Sequence, residues 1–243
     1  MEVYFAVDVL GGSAVRLLHG DYAKKTVYYP DAADAARALL GQGAGCLHVV
    51  DLDGARGDGA DNFAAISRIA AAGAGFVQVG GGIRSMERVA AYLDAGADRV
   101  ILGTAAVKDP ALLDAAIARY GARVAVGVDA RDGCVAVEGW RETSALEAGA
   151  FCASLAAHGV SCVIYTDISR DGALRGVNLE AYRALLEIPG LTVIASGGVA
   201  GADDLSALAA LGVHGAIVGR ALYEGVLPEA ALLPLSARYG LLI

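Results

Sequence analysis

Cysteine, proline and positive charge are all scarce in this chain, and each shortage removes a class of protein. There are four cysteines in 243 residues, at positions 46, 134, 152 and 162, with neither CxxC nor Cys/His ligand spacing. That argues against a zinc site or a disulfide framework and fits a reducing cytoplasm. The histidines at 19, 48, 158 and 214 form no ligand pattern either, so they are read as incidental and no metal or cofactor is expected. No charge-free apolar run reaches the roughly 18 residues of a membrane span. The start, MEVYFAVDVL, lacks a basic segment and carries acids at positions 2 and 8, so it is not expected to be a secretion signal. Lys and Arg total 19 against 27 Asp and Glu, giving a formal charge of −8, with the basic residues scattered. A nucleic-acid backbone is therefore not an expected partner. No Pro/Ser-rich or charge-dense linker interrupts the midpoint, which favours one domain over two.

What the chain does have is duplication. Residues 116 apart match without a gap: Cys46 with Cys162, Asp51 with Asp167, Asn62 with Asn178, Gly81-Gly82 with Gly197-Gly198, Gly96 with Gly212, and Gly103 with Gly219. Further upstream the offset is 121, and Asp8 and Gly12 answer Asp129 and Gly133. Eight short apolar runs, 3–7, 46–50, 76–79, 99–102, 123–128, 162–166, 191–195 and 215–218, read as strands. Their continuous apolar character suits parallel strands covered on both faces. Helical segments lie between them. Asp31 starts the first, Asp109-Pro110 opens the fourth with proline in the first turn, and Asn62 and Asn178 are candidate N-caps. Ser144-Ala-Leu-Glu147 has capping-box spacing, and glycines 73, 96, 159 and 212 mark helix ends. The pattern predicts an α/β fold, a (β/α)8 TIM barrel with twofold (4+4) internal repeat and half-barrels of 1–120 and 121–243. A doubly wound Rossmann-like sheet is the alternative, but the first strand runs into Asp8-Val-Leu-Gly-Gly rather than a G-x-G-x-x-G turn.

Barrels of this kind carry their sites at the C-terminal ends of the strands. Those ends fall at Asp8, Asp51, Gly80-Gly81-Gly82, Gly103-Thr104, Asp129, Thr166-Asp167, Ser196-Gly197-Gly198 and Gly219-Arg220. Glycine turns let several backbone N–H groups converge on an anion. Two such turns in register, Gly81-Gly82 with Gly103-Thr104 and Gly197-Gly198 with Gly219-Arg220, predict a small-molecule substrate with two phosphates. The plainer reading makes them tight turns only. Asp8 and Asp129, on strands that face each other, would flank the centre of that substrate as acid and base. The plainer reading here is a pair of buried acids locked to neighbouring Lys or Arg. Asp51 and Asp167 are weaker candidates that cap loops or orient neighbours. Trp140, the only tryptophan, follows a short alternating run from Cys134 that predicts a hairpin lid able to stack on a planar ring. Arg16, Arg84 and Arg220 are available for anion binding or for the surface.

The segments AVDVLGGSAVRLLHGDY, HVVDLDGA, VQVGGGIRS, ILGTAA, VGVDARDGCVAVEGW, YTDISRDGALRGVN, VIASGGV and AIVGRALYEG resemble the phosphoribosylformimino-aminoimidazole carboxamide ribotide isomerases of histidine biosynthesis, nearly end to end. The resemblance implies an Amadori rearrangement of an aminoaldose to an aminoketose without metal or cofactor. Within it, Asp8 stands as general base, Asp129 as general acid, Thr166 as a supporting hydroxyl and Trp140 as the closing-loop aromatic. Gly20, Asp171 and Gly172, in the LLHGDY and SRDGAL segments, join the implied substrate contacts. Ser13, His19 and Ala173 depart from residues common in that family. Three rivals share these features. They are the cyclase subunit of imidazole glycerol phosphate synthase, an isomerase that also accepts phosphoribosylanthranilate, and a non-catalytic bis-phosphate sensor. The absent first-loop lysine and the VEGW lid stand against the cyclase, the short 132–143 loop against dual specificity, and the two buried acids against a sensor. A cytoplasmic monomer is expected.

Overall fold

A computed structural model describes residues 1–18, 20–41, 43–72 and 75–227; His19 and Gly73 lie outside these residues. In chain order the elements are β1 (Glu2–Leu10), β2 (Ser13–Leu18), β3 (Asp21–Tyr29), α1 (Ala32–Gly41), β4 (Cys46–Asp51), α2 (Leu52–Arg56), α3 (Phe63–Ala71), β5 (Phe76–Gly80), α4 (Met86–Asp94), β6 (Arg99–Leu102), α5 (Thr104–Lys108) and α6 (Pro110–Tyr120). The second half follows with β7 (Val124–Arg131), β8 (Cys134–Val137), β9 (Glu142–Glu147), α7 (Ala148–Ala157), β10 (Cys162–Asp167), α8 (Leu179–Leu186), β11 (Thr192–Ser196), α9 (Ala202–Leu211), β12 (Gly215–Val218) and α10 (Arg220–Tyr223). Strands β1, β4, β5, β6, β7, β10, β11 and β12 pair in parallel in that order, and β12 returns to β1, closing an eight-stranded barrel ringed by helices. β1 and β7 are four places apart in the ring and so lie on opposite walls.

Apolar residues sit on both faces of these strands because both faces are covered. Val3, Phe5 and Val7 of β1 pack outward against the helices, while Tyr4 and Ala6 point into the barrel with Cys46, Ile101, Cys162, Ile164, Ile194 and Ile217. At about 25 cal/mol per Å² of apolar surface, such two-sided burial makes each strand costly to remove from water-free packing. Among the described residues all four cysteines are free, and no helix is long and apolar enough to cross a membrane.

Three local expectations need correction. β1 and β7 run past their predicted ends, so Asp8 and Asp129 lie inside strands whose last turns continue as hairpins. Asp8 is paired with Val15 on β2 and Asp129 with Ala136 on β8. Ser144 does not cap a helix. It lies in β9 and donates to the Val135 carbonyl, while Glu147 caps α7 by accepting from Gly149 and Ala150 N–H. Asn62 occupies the N-cap position of α3 but makes no cap bond. Its side chain instead donates to the Val9 carbonyl, Asp51 and Asp53, and accepts from Gly12 N–H at 2.8 Å.

The fully buried Asp51 carboxylate is the hub of this network. It accepts from Gly54 N–H, Asn62 N–H and Nδ2, and the Tyr92 hydroxyl. Asn178, in the duplicate position, is used more simply: it caps Ala181 and donates to Asp167. Asn62→Ala should therefore cost about 3 kcal/mol, because several buried groups lose partners together, and Asn178→Ala about 1 kcal/mol. Urea unfolding of the two variants measures this; equal losses would contradict it.

Candidate active site

The loops at the C-terminal ends of the strands surround one cavity whose walls include Asp8, Arg16, Asp129, Trp140, Thr166 and Asp171. Asp8 rises from β1 and pairs with Arg16 on β2, with Nη1 at 2.7 Å from Oδ2 and both side chains about six-sevenths buried. Across the barrel Asp129 rises from β7. Its Oδ2 accepts from Trp140 Nε1 at 2.8 Å, and the Thr166 hydroxyl also hydrogen-bonds its carboxyl. Thr166 is the register partner of Asp129 on β10, so strand pairing alone places that hydroxyl.

Burial raises both carboxyls above the usual carboxylate range, and the two sites oppose the rise differently. Desolvation pushes Asp8 up, the Arg16 guanidinium pulls it back, and the charge of Asp171 adds to the rise. At Asp129 desolvation also leads, opposed by the hydrogen bonds from Trp140 and Thr166, again with Asp171 pushing upward. A full positive charge in a dry site favours the ionised form more than a neutral N–H or O–H does. What opposes desolvation thus differs between the two: a guanidinium at Asp8, neutral donors at Asp129. The plain alternative of two acids each locked to a cation applies to Asp8 alone.

The glycine turns repeat in three dimensions. Gly81 and Gly197 both have positive φ, 98° and 85°. A side chain at Gly81 would collide with the Asp51 backbone, and one at Gly197 would lie 2.7 Å from the Asp167 carbonyl. Gly82 and Gly198 likewise abut the carbonyls of Gly54 and Gly176. These four glycines are therefore required by loop-to-loop approach, whatever else they bind. Gly103 differs: a side chain there would meet open space, and Gly103 and Gly219 adopt similar backbone conformations ahead of α5 and α10. Arg84 bonds the Gly54 and Ala55 carbonyls, and Arg220 bonds Glu224 and the Gly172 carbonyl. Arg16 is not a surface residue: its guanidinium fills the space where a Gly219 side chain would sit.

The hairpin expected around Trp140 is present as β8 and β9. Glu138, Gly139 and Trp140 all have positive φ, 55°, 61° and 68°. Left-handed geometry costs about 1–2 kcal/mol at each non-glycine residue, and local bonds offset it. Glu138 pairs with Lys108 and its N–H donates to the Thr104 hydroxyl oxygen, while Arg131 donates to the Trp140 carbonyl at 3.0 Å. Gly20 of the first loop packs onto the indole, where a side chain would come within 2.8 Å of Cε3. Loops from the two halves thus meet over the cavity.

His48, incidental by spacing alone, lines the cavity floor. Burial and the nearby Arg16 charge lower its pKa to about 3, so it is a neutral imidazole. One signal in the sequence pointed to it: its duplicate is Ile164, so His48 is the polar exception in an apolar strand. Asp51 and Asp167 lie outside the cavity and organise loops, as expected of the weaker pair. Among the described residues no cluster of three or more His, Cys, Asp or Glu side chains could hold a metal ion.

Known proteins resemble this chain along nearly its whole length. Residues 2–228 match the family model described as histidine biosynthesis protein. A Picosynechococcus protein is 53% identical over 228 residues, covering 93% of this chain and 89% of its own length. One from Dehalococcoides mccartyi is 49% identical over 225 residues, covering 93% and 95%. One from Listeria monocytogenes is 48% identical over 224 residues, covering 92% and 93%. Each of the three is named a 1-(5-phosphoribosyl)-5-((5-phosphoribosylamino)methylideneamino) imidazole-4-carboxamide isomerase.

Proposed function

This chain belongs to the histidine biosynthesis protein family, and from that premise we propose that Asp8 and Asp129 are the base and acid of its isomerase reaction. The chain is an isomerase of histidine biosynthesis, acting on a sugar phosphate. Its substrate in this reading carries two phosphoribosyl groups, as the names of its relatives do. The observation that carries the assignment is the unequal partnering of two buried carboxyls on opposite walls: a guanidinium at Asp8, neutral donors at Asp129.

The chemistry follows from that inequality. Protonated Asp129 gives its proton to the ribose ring oxygen, the C1′–O bond breaks, and the nitrogen lone pair forms an imine. Asp8, kept ionised by Arg16, removes the C2′ proton to leave an enolamine. Tautomerisation to the ketone then yields the aminoketose. Thr166 supports Asp129, and Trp140 closes over the substrate's planar ring while its N–H steadies the acid. Gly81, Gly82, Gly103 and Thr104 receive one phosphate; Gly197, Gly198, Gly219 and Arg220 receive the other. Arg16, Gly20, Arg84, Asp171 and Gly172 complete the substrate contacts. The ties that hold residues 138–141, including the bond from Arg141 to the Arg56 carbonyl at 3.1 Å, favour one lid arrangement and hence one substrate over a bifunctional enzyme.

Two experiments test this. Asp8→Asn and Asp129→Asn should each lower kcat at least roughly 100-fold, the scale of losing a general acid or base, with KM changing far less. Near-normal turnover by either variant would remove that residue from the mechanism. Crystals soaked in sulfate should hold one anion at each glycine turn, and occupation of only one turn at saturating sulfate would contradict the two-phosphate reading.

A further inference from the structure

Three side chains on neighbouring strands run as a polar line beneath the cavity. His48 on β4 is the register partner of Gln78 on β5, and Gln78 is the partner of Arg99 on β6. Gln78 is fully buried. Its amide nitrogen lies 3.0 Å from His48 Nδ1, and Arg99 Nη1 donates to its Oε1 at 3.3 Å. In the duplicate half the corresponding residues, 116 positions on, are Ile164, Ile194 and Gly215. Both isoleucines belong to the apolar barrel interior. The same barrel is therefore built with apolar side chains at these places, and a buried amide is costly unless every group on it is matched. The fold has no need of the polar line. It occurs in one half only, and its far end opens on the cavity floor.

Donor and acceptor chemistry leaves the line a single arrangement. A guanidinium can only donate, so the oxygen of Gln78 must face Arg99 and its NH2 must face His48. An amide NH2 can only donate in turn, so His48 Nδ1 must accept, and the ring proton belongs on Nε2. We infer that Gln78 is a positioning residue: anchored by Arg99, it fixes His48 as the Nε2–H tautomer, so the cavity floor offers the reacting sugar a hydrogen-bond donor and never an acceptor. The second half of this statement rests on the isomerase reading above. A donor of fixed direction is useful there because the leaving ring oxygen gains negative character as the C1′–O bond breaks, and preorganised donors favour such charge. The low basicity of His48 keeps the imidazole from becoming a second cation beside Arg16.

Isotope-edited NMR of the histidine rings tests the tautomer directly, with His48 assigned against His48→Asn. The wild-type protein should show His48 as Nε2–H near neutral pH. In Gln78→Glu a carboxylate accepts where the amide donated, so the proton should move to Nδ1. That inversion should lower kcat about tenfold or more, with KM within about threefold, the effect of a hydrogen bond lost and then opposed. Gln78→Met, close in volume but without a donor, should give a mixed tautomer and a smaller loss in kcat; it serves if Gln78→Glu does not fold. A wild-type His48 bearing its proton on Nδ1, or an inverted tautomer with wild-type kcat, would overturn the inference. An inactive wild-type protein with the Nε2–H signal intact would overturn the isomerase reading, and with it the role toward the sugar, while leaving the positioning of His48 in place.

Discussion

A carboxyl group inside a barrel mouth has lost most of the water that stabilises its charge, and the structure answers that loss in two different ways at Asp8 and Asp129. At Asp8 the answer is a guanidinium 2.7 Å away, itself buried. Removing one member of such a pair typically costs about 3–5 kcal/mol because the other charge is left unpaired. At Asp129 the answer is an indole N–H and a threonine hydroxyl, neutral donors that restrain the rise without bringing a full charge. Much of the surrounding architecture serves these contacts. The β1–β2 hairpin delivers Arg16, the strained β8–β9 turn delivers Trp140, and the β7–β10 pairing delivers Thr166.

Duplication supplies two equivalent carboxyls, and departures from duplication tell them apart. Both aspartates sit at matching places in matching hairpins, since Val15 opposite Asp8 and Ala136 opposite Asp129 are themselves 121 residues apart. The position that duplicates Arg16 is Val137, and the one that duplicates Thr166 is Val50. Neither aspartate therefore has the other's partner. The same holds under the loops, where Asp53 bridges Gly11 N–H to Asn62, but among the described residues its duplicate Ser169 hydrogen-bonds Asp167 alone through its N–H and hydroxyl. A symmetric frame suits the two-ended ligand proposed above, and asymmetric side chains tell its two acids apart.

Much of this was legible in the sequence, for physical reasons. Parallel strands covered on both faces must be apolar throughout, so all eight barrel strands stood out, and a duplicated glycine pattern had to mean duplicated turns. Asp8 and Asp129 stood out as charges in apolar runs. The misses concern groups whose role depends on distant partners. Ser144 and Glu147 satisfy capping-box spacing, yet the hairpin claims Ser144 for the Val135 carbonyl. Asn62 looked like a cap, but the pull of Asp51, Asp53 and Val9 is visible only once the loops are folded together. Arg16 was ambiguous because no local rule links β2 to a carboxylate eight residues earlier. His48 was passed over because a lone histidine carries no spacing signal, and only its mismatch with Ile164 marks it.

Unequal partners should give the two duplicated aspartates different proton affinities. Site-resolved NMR titration of carboxyl-labelled aspartates in the unliganded protein measures this most directly. Burial raises both groups, and the Arg16 charge should restrain Asp8 more than Trp140 and Thr166 restrain Asp129. Asp129 should therefore take up its proton at the higher pH and Asp8 at the lower. Asp8 titrating together with Asp129, or above it, would contradict the assignment of base and acid.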